Sequence, residues 1–279
     1  MKGNICEVII MIKLLAVDMD GTCLGSDGKM SDKTYEALKK AAESGIIVVP
    51  TTGRNINCLP SKIKNDKFYR YVISSNGSLV LDLQESRELS SAYISRQTAC
   101  DILRQLKKHL ILTAIHMNRD FYVNGLILYF GVKHVLKEDA AGLKISHNLA
   151  RHVKKEGTTV EEFQLFFKGE KYKDIIRRII EPHKDICAAF SDDYAELFHR
   201  DGTKGTALLR LASHLGITPD EIVCIGDEEN DISMFEVIGH PYAMGNAIDK
   251  IKALAEKVLP TNDEDGVAFA INEILGGNI

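Results

Sequence analysis

The 279-residue sequence contains six cysteines but no C-x-x-C pair, and none of them lies beside histidines at zinc-finger spacing. They are scattered along the chain at Cys6, Cys23, Cys58, Cys100, Cys187 and Cys224. Nothing in this pattern predicts a cysteine-based zinc site or redox motif. We expect reduced, mostly buried thiols in a reducing compartment.

The sequence also lacks a hydrophobic segment long enough to span a membrane. Residues 8–17 are nearly all apolar, but Lys13 interrupts them and they fall far short of the roughly 20 residues that a membrane helix needs. No small-residue cleavage site follows, which argues against a signal peptide. We expect a cytoplasmic protein with no membrane partner, in which residues 1–10 extend ahead of the first strand.

A third absence is an excess of positive charge, because the formal net charge is −4. This balance and the lack of a basic, aromatic-rich segment disfavour nucleic-acid binding. A small anionic molecule would then need a local cluster of positive groups. The sequence has no repeats or low-complexity tracts, and its length allows one large domain or two modest ones.

Apolar runs and helical periodicity alternate at both ends of the sequence. Three short apolar runs typical of buried parallel strands are residues 12–17, 46–49 and 71–73. Ser31 can cap a helix that ends at Gly45, between the first two of these runs. Towards the C-terminus we predict helices at 203–215, 247–256 and 266–275 and a strand at 221–225.

The middle of the sequence mixes hairpin and helix patterns. We predict helices at 98–108 and 171–181, and strands at 111–117 and 121–123. Asn124-Gly125 is a typical hairpin turn, so a further strand is predicted at 126–130. The predicted fold class is therefore α/β: a doubly wound, Rossmann-like parallel sheet core at 1–83 and 188–279, with an inserted α+β cap at 84–187.

The first predicted strand is followed by two aspartates, Asp18 and Asp20. Residues two apart in an extended chain point the same way, so both carboxylates can face a ligand at the carboxyl edge of the sheet. Because two close carboxylates repel, one must hold a proton or a cation must lie between them. A nucleophile beside a general acid would need this arrangement, although a polar turn uses the same residue types.

Two further segments could bind an anion. Thr51-Thr52-Gly53-Arg54 follows a predicted strand and offers a hydroxyl, a permissive glycine and exposed N–H groups to a phosphate. Lys204, at the start of a predicted helix, would add its charge to the positive end of the helix dipole. Taken singly, an ordinary turn and a solvated lysine explain these two segments better.

A fourth segment, Gly226-Asp227-Glu228-Glu229-Asn230-Asp231, follows the strand predicted at 221–225. Its carboxylates and amide form a hard-oxygen environment suited to magnesium. If a helix begins here, Asp227 and Asp231 are neighbours whose like charges need a metal or Lys204 as countercharge. An acidic helix start that complements the dipole is the alternative. Since all four clusters fall at strand ends or helix starts, their joint occurrence predicts one site.

At these residues the sequence resembles the haloacid dehalogenase-like superfamily of phosphatases, and within it the Cof-type branch with a type IIB cap. The matching stretches are Ala16-Val17-Asp18-Met19-Asp20-Gly21-Thr22, Thr52-Gly53-Arg54, Ser74-Ser75-Asn76-Gly77, Lys204-Gly205-Thr206-Ala207-Leu208, Gly226-Asp227-Glu228-Glu229-Asn230-Asp231, Ala243-Met244-Gly245-Asn246-Ala247 and Asn262-Asp263-Glu264-Asp265-Gly266-Val267. The sequence departs from the usual pattern at Cys23, where leucine is common, and at Thr51, where alanine is. We treat both as packing variants, because neither replaces a required chemical group.

The resemblance implies a phosphatase that hydrolyses a small phosphate ester through an aspartyl-phosphate, with Mg²⁺ as cofactor. Asp18 would be the nucleophile and a magnesium ligand. Asp20 would be the general acid and base and would offer its backbone carbonyl to the metal. Asp227 would bind magnesium, and Asp231 would support the metal and the lysine from behind.

The resemblance also implies the residues that hold the substrate. Thr52 and Lys204 would bind the transferring phosphoryl group, and Asn230 would help to hold it. Gly53 and Arg54 belong to the same loop as Thr52, and the Arg54 guanidinium can grip an anion in a fork. The inserted cap would cover the site and select the leaving group.

Two other functions would use the same residues. A phosphotransferase or phosphomutase would pass the phosphoryl group to an acceptor other than water. A non-catalytic phosphometabolite-binding protein would be expected to lose a catalytic group, whereas Asp18, Asp20, Lys204 and Asp227 are all present. The substrate, the oligomeric state and the cap residues that contact the leaving group stay open; Asn118-Arg119-Asp120 is a candidate, but a plain hairpin turn is the favoured interpretation.

Overall fold

The structure is a computed structural model that describes residues 11–155 and 158–277. Its strands are β1 (Leu14–Val17), β2 (Ile47–Pro50), β3 (Tyr71–Ser74), β4 (Leu79–Asp82), β5 (Arg87–Ser91), β6 (Leu112–Met117), β7 (Asp120–Asn124), β8 (Leu143–Ser146), β9 (Val160–Phe166), β10 (Ile186–Phe190), β11 (Tyr194–His199), β12 (Ile222–Gly226), β13 (His240–Ala243) and β14 (Lys257–Val258). The predicted extension at residues 1–10 lies outside the described residues.

The helices connect these strands and cover the sheets. They are α1 (Asp32–Glu43), α2 (Ser61–Asn65), α3 (Arg96–Leu106), α4 (Leu126–Leu136), α5 (Leu149–Val153), α6 (Lys171–Ile180), α7 (Lys204–Leu215), α8 (Ile232–Phe235), α9 (Asp249–Leu254) and α10 (Gly266–Leu275). As predicted, Ser31 caps α1, and its hydroxyl accepts a hydrogen bond from Thr34 N at 3.0 Å. Within the described ranges, no helix is both long and apolar enough to cross a membrane.

The first sheet has five parallel strands in the order β14-β13-β12-β1-β2. Residues of β1 and β12 are buried on both faces, which explains their uninterrupted apolar sequences. On the flanks, α1 packs against α10 and α7 against α8. Since parallel strands end at the same edge, the loops that follow β1, β2 and β12 come together there.

Two further sheets complete the fold. The short sheet β3-β4-β5 is antiparallel and continues beside β2 through a bridge between Thr51 and Ile73. The six-stranded sheet β10-β11-β9-β6-β7-β8 is antiparallel except for the β7–β8 pair. Helices α3, α5 and α6 cover one face of it, and α4 packs in a separate apolar cluster with β7. A parallel core with a mostly antiparallel α+β cap confirms the predicted fold class.

The strand predicted at 126–130 is wrong, because these residues form the first part of α4. Asn124 instead ends β7, and Gly125 is the residue before the helix, with φ +86°. A short, continuous apolar run fits a buried strand or a buried helix equally well by periodicity. Apolar residues recur beyond it at Val132, Val135 and Leu136, and the resulting length of 11 residues favours a helix.

The strand pairings also differ from the predicted cap limits of 84 and 187. Arg87–Ser91 pairs with β4 in the short sheet, whereas Tyr194–His199 pairs with β9 and β10 in the six-stranded sheet. The return to the parallel core therefore comes after β11. The β9–β11 pair joins residues 28 to 36 positions apart, so no local signal shows that β11 still belongs to the cap sheet.

Candidate active site

Asp18 leaves the sheet directly after β1 and remains tied to the neighbouring strand, because its N–H donates to the Ile225 carbonyl at 3.0 Å. The loop then turns towards the end of β12. Gly21 has φ +79°, and a Cβ added there would lie 2.2 Å from Asp227 Oδ2. Only glycine combines this backbone conformation with so close an approach. The Asp-Gly-Thr sequence thus brings the first and fourth predicted clusters together.

Three buried carboxylates converge at this edge. Asp18, Asp227 and Asp231 each place an oxygen within 4.8 Å of the others. The Thr22 hydroxyl donates to Asp227 Oδ1 at 2.7 Å. Asp231 Oδ2 accepts from the backbone N–H of Asp227 at 2.9 Å and of Glu228 at 3.2 Å. The predicted proximity of these three acids is therefore present, with Asp231 held from behind by the backbone.

Lys204 is the first residue of α7, whose cap is Thr203. Its side chain is fully buried, and its Nζ donates to Asp18 Oδ1 at 2.5 Å and to Asp231 Oδ1 at 2.7 Å. A solvated surface lysine is thus ruled out. The helix start delivers the ammonium group into the cluster of carboxylates.

The cluster carries more negative than positive charge. Burial raises the pKa of Asp18 well above its ordinary value, although Lys204 opposes the shift. Burial and then the nearby Asp231 raise the pKa of Asp227 to about 7. Burial alone would lower the pKa of Lys204, but Asp18 and Asp231 raise it overall. Three carboxylate donors facing one ammonium group form a donor set that fits a divalent metal ion.

Asp20 is separate from this cluster and is held by Arg54. The Arg54 Nε and Nη2 atoms donate to the two oxygens of Asp20 at 2.8 and 2.7 Å, a fork in which the guanidinium grips one carboxylate. The third nitrogen, Nη1, donates to Asp139 at 3.1 Å. Asp20 keeps 57% of its side chain exposed, so it remains accessible to a ligand. The sequence predicted that Arg54 faces an anion but did not identify these two carboxylates.

The other predicted phosphate ligands occupy different positions. Thr52 is buried, and its Oγ1 accepts from Arg54 N at 3.0 Å. Gly53 and Asn230 line the same cavity as Asp18 and Asp20, whereas Thr52 is not among the residues that line it. The Asn230 amide donates to Asn76 Oδ1 at 3.0 Å and to Glu196 Oε2 at 3.2 Å.

A buried acidic group next to Asn230 was missed in the sequence. The Asn76 amide donates to Glu162 Oε2 at 3.0 Å and to Glu196 Oε2 at 2.7 Å. Burial raises the pKa of both glutamates, and their proximity raises that of Glu162 further. Charged residues inside the otherwise apolar strands β9 and β11 were the available signal.

A cavity of about 680 Å³ joins the strand ends to the cap. Asp18, Asp20 and Arg54 line it from the core, and Phe166 and Tyr194 are among the residues that line it from the cap. The candidate contact Asn118-Arg119-Asp120 does not line it. That segment is the hairpin turn between β6 and β7, and Asn57 Nδ2 donates to its Arg119 carbonyl at 2.7 Å. The favoured interpretation as a plain turn was correct.

Comparison with known proteins identifies relatives over nearly the whole chain. A family model described as haloacid dehalogenase-like hydrolase matches residues 15–271. Phosphatase YwpJ of Bacillus subtilis is 30% identical, with 95% of this chain and 100% of YwpJ aligned. A second B. subtilis protein, named 5-amino-6-(5-phospho-D-ribitylamino)uracil phosphatase YwtE, is 28% identical, with 95% of this chain and 99% of YwtE aligned.

Solved structures show the same architecture. A haloacid dehalogenase-like hydrolase from B. subtilis superposes with a TM-score of 0.85 at 29% identity, over 94% of this chain and 99% of its own. A sugar phosphatase described as HAD subclass IIB superposes with a TM-score of 0.82 at 20% identity, over 95% of this chain and 99% of its own. The second likeness concerns the fold, including the cap.

Proposed function

Because the chain belongs to the haloacid dehalogenase-like hydrolases, we propose that it is a Mg²⁺-dependent phosphatase that acts on a small phosphorylated metabolite. The observation that carries this proposal is the buried Lys204 ammonium group, 2.5 Å from Asp18, within a group of three carboxylates. We take the substrate to be a sugar phosphate or a similar ester, since relatives are named for such substrates. A cytoplasmic location is supported by the free thiols of the described cysteines.

In the first step, an Asp18 carboxylate oxygen attacks phosphorus while the bond from phosphorus to the ester oxygen breaks. Asp20 donates a proton to that oxygen, so that the alcohol leaves uncharged. In the second step, water attacks the aspartyl-phosphate and gives its proton to Asp20. Phosphate is released, and Asp18 returns to its carboxylate form.

The transferring phosphoryl group needs positive charge around it. Asp18, Asp227 and the backbone carbonyl of Asp20 would hold Mg²⁺, with Asp231 behind them. When bound, Mg²⁺ neutralises phosphoryl oxygens in the transition state. Lys204 brings a second positive charge. Its hydrogen bond to Asp18 also keeps the nucleophilic carboxylate in position.

The remaining ligands belong to the loop after β2 and to the turn after β12. Thr52 has a hydroxyl that accepts from Arg54 N, which leaves its own O–H to donate to a phosphoryl oxygen. Gly53 brings backbone close to the cavity, where the absence of a side chain leaves room for the phosphate. Asn230 would hold the phosphate after exchanging its bond to Glu196 for one to the ligand.

The proposal is tested by phosphate release over a panel of metabolite phosphates, with Mg²⁺ and with EDTA. We expect Mg²⁺-dependent release by the wild-type protein and a loss of at least about 10³-fold in Asp18→Asn. Asp32→Asn, at a 98% exposed aspartate, is the matched control and should keep full activity. Wild-type turnover in Asp18→Asn with metal bound would rule out the covalent mechanism.

An added acceptor distinguishes hydrolysis from phosphoryl transfer, the alternative that uses the same nucleophile. We expect phosphate release to be the same with and without a sugar acceptor. Formation of a new phosphate ester at the expense of free phosphate would identify a phosphotransferase or phosphomutase. Binding of the esters without any release would identify a non-catalytic binding protein.

A further inference from the structure

The cavity extends well beyond the space that a phosphoryl group needs. Its volume of about 680 Å³ falls within the range of about 300–1,000 Å³ that is typical of sites enclosing drug-sized molecules. Asp18, Asp20 and Gly53 line only its core side. The remainder, on the cap side, is available to the leaving group of the ester.

The cap side of the cavity is lined mainly by apolar side chains. They come from α4 and from residues at or near the ends of β6, β7, β9 and β10. They include Leu112, Phe121, Leu128, Val132, Phe166 and Phe190. At the mouth, Ile127 and Val135 of α4 also line it, although they are 85% and 73% exposed. Apolar surface left facing a cavity is stabilised when a ligand removes it from water.

Aromatic rings lie close to the loop after β2 that contains Thr52 and Gly53. A Cβ added at Gly53 would lie 2.9 Å from Glu196 Oε1, and the same oxygen accepts from the Tyr194 hydroxyl at 2.9 Å. The Tyr194 ring lies 5.0 Å from the Phe166 ring, centroid to centroid. One side chain, that of Glu196, therefore separates Gly53 from an aromatic surface, and a short spacer in the ligand would bridge that distance.

The charged groups of the cavity disfavour an anionic leaving group. The carboxylates that line it are Asp18, Asp20, Glu196, Glu228 and Glu229. Among the described lining residues the one cation is Arg54, and its guanidinium is already bonded to Asp20 and Asp139. A second phosphate or a carboxylate on the substrate would find no free positive partner there.

We propose that the cap side of the cavity binds an uncharged aromatic group, so that the preferred substrate is the phosphate monoester of an alcohol with an aromatic ring a few bonds from the ester oxygen. This inference rests on the proposed phosphatase function and deepens it by naming the substrate class. Among the sugar phosphates and similar esters proposed above, the cap side selects esters with an aromatic leaving group over sugar phosphates, because sugar hydroxyls that face the apolar cap residues lose water without gaining partners.

A series of esters with alkyl leaving groups of similar basicity tests the proposal. The compounds are butyl phosphate, 4-phenylbutyl phosphate, its para-carboxylate derivative and glucose 6-phosphate. We expect kcat/KM for 4-phenylbutyl phosphate to exceed that for butyl phosphate and for glucose 6-phosphate by about tenfold or more. The carboxylate should remove most of that gain. Equal or higher kcat/KM for glucose 6-phosphate would overturn the substrate class while leaving the phosphatase function intact.

Two substitutions on α4 locate the effect. Ile127→Asp places a charge at the cavity mouth, and Phe130→Asp places it on the same helix, at a 63% exposed residue that does not line the cavity. We expect the ratio of kcat/KM between 4-phenylbutyl and butyl phosphate to fall by about tenfold in Ile127→Asp. It should stay unchanged in Phe130→Asp. An equal fall in both variants would contradict the assignment.

Binding of the alcohol alone separates this proposal from the catalytic one. In calorimetric titrations of the wild-type protein, 4-phenylbutan-1-ol should bind about tenfold more tightly than butan-1-ol, and Ile127→Asp should remove the difference. If no ester is hydrolysed but this difference is present, the phosphatase function fails and the aromatic subsite stands. If esters are hydrolysed and the two alcohols bind equally, the subsite fails and the phosphatase function stands.

Discussion

Lys204 balances the charge of the carboxylates at the residue scale. Its Nζ contacts Asp18 and Asp231, and all three side chains are nearly inaccessible to water. A buried ion pair adds little net stability compared with apolar residues, but removal of one partner leaves an uncompensated charge. The lysine is therefore required for the acids to be buried together in the ionised form.

We predict that Lys204→Met lowers the free energy of unfolding by about 3–5 kcal/mol at pH 8 in EDTA. The loss should be smaller at pH 5, because burial raises the pKa of Asp18 and the unpaired carboxyl can then take up a proton. Denaturant unfolding at the two pH values measures both effects. Lys33→Met, at a 67% exposed lysine that pairs with Asp265, should change stability far less.

Glu161 shows a second residue-scale effect, at the contact between the core and the cap. It accepts from Arg119 N at 2.7 Å, from Asn55 Nδ2 at 3.2 Å and from Ser75 Oγ at 3.4 Å. Burial nevertheless raises its pKa to about 7. The nearby His116 gives no countercharge, because burial lowers the pKa of its imidazole to about 3 and the ring is neutral.

We predict that Glu161→Gln reduces the pH dependence of stability between pH 4.5 and 7. The folded protein holds the proton of Glu161 more tightly than the unfolded chain, whose glutamates titrate near 4.5. This contribution is complete below pH 4.5 and is lost as the pH rises to about 7, by roughly 2–3 kcal/mol. If the free energy of unfolding changed with pH equally in wild type and variant across this range, the prediction would be contradicted. Glu170→Gln, at a 73% exposed glutamate, is the control and should follow wild type.

At the scale of elements, the packing of α7 against α8 explains why glycine follows the lysine. A Cβ added at Gly205 would lie 1.9 Å from the Ser233 carbonyl oxygen, and Gly205 N also donates to Ser233 Oγ at 3.0 Å. The two backbones are in contact at this point, so no side chain fits. Because Lys204 precedes Gly205 in the first turn, this contact also positions the ammonium group.

We predict that Gly205→Ala lowers the free energy of unfolding by about 1–3 kcal/mol and reduces turnover, since α7 must shift and carry Lys204 with it. Gly131→Ala on α4 is the matched comparison, because a Cβ there meets nothing within 4 Å. It should raise stability by about 0.5–1 kcal/mol through helix propensity. Thermal and denaturant unfolding of both variants provide the measurement.

Helices and strands differ in how well the sequence predicted them. Helix α1 was predicted with its cap at Ser31, because capping and apolar periodicity are local properties. Helix α4 was predicted as a strand, because a run such as Leu126–Phe130 has no period of its own and Asn-Gly is a strong hairpin signal. Packing on the cap sheet decided its conformation.

At the scale of the whole molecule, metal binding and folding stability should be linked. Asp227 has a raised pKa because it is buried beside another carboxylate. Without metal, its ionisation at pH 8 therefore lowers the stability of the folded protein. A divalent cation that binds only the folded state offsets this repulsion and adds stability, about 2.7 kcal/mol at 100 times its Kd.

We predict that Asp227→Asn reverses the order of stability between the two conditions. In EDTA at pH 8, the variant should be more stable than wild type by about 1–3 kcal/mol, because a neutral amide replaces an ionised carboxylate. With excess Mg²⁺, wild type should gain stability and the variant should not. An equal gain in both proteins would show that Asp227 is not a ligand; Asp32→Asn should behave as wild type.

Contacts between the core and the cap close the site from both sides. Arg54 donates to Asp20 of the core and to Asp139 of the cap segment. Glu229 Oε2 of the core accepts from Phe190 N at 2.6 Å, at the end of β10. These contacts place the apolar cap surface over the strand ends, which is why one cavity contains both the acids and the aromatic residues.

The sequence by itself determined the parallel core, the four clusters and the residues that belong to them. Each of these depends on a local property: a buried apolar run, the polar loop that follows it, or a helix cap such as that before Lys204. Parallel strands must end at one edge, so Asp18 and Asp227 could be assigned to a common site before any coordinates.

Only the tertiary structure decided which partner each charged group has and what the cavity is lined with. The Thr22–Asp227 bond joins residues 205 positions apart, and Arg54 reaches Asp139 across 85. Neither pairing can be predicted from the residues that neighbour it in the sequence. The apolar, acidic character of the cavity likewise arises because strands and a helix from distant segments pack together, and side-chain direction is set by that packing.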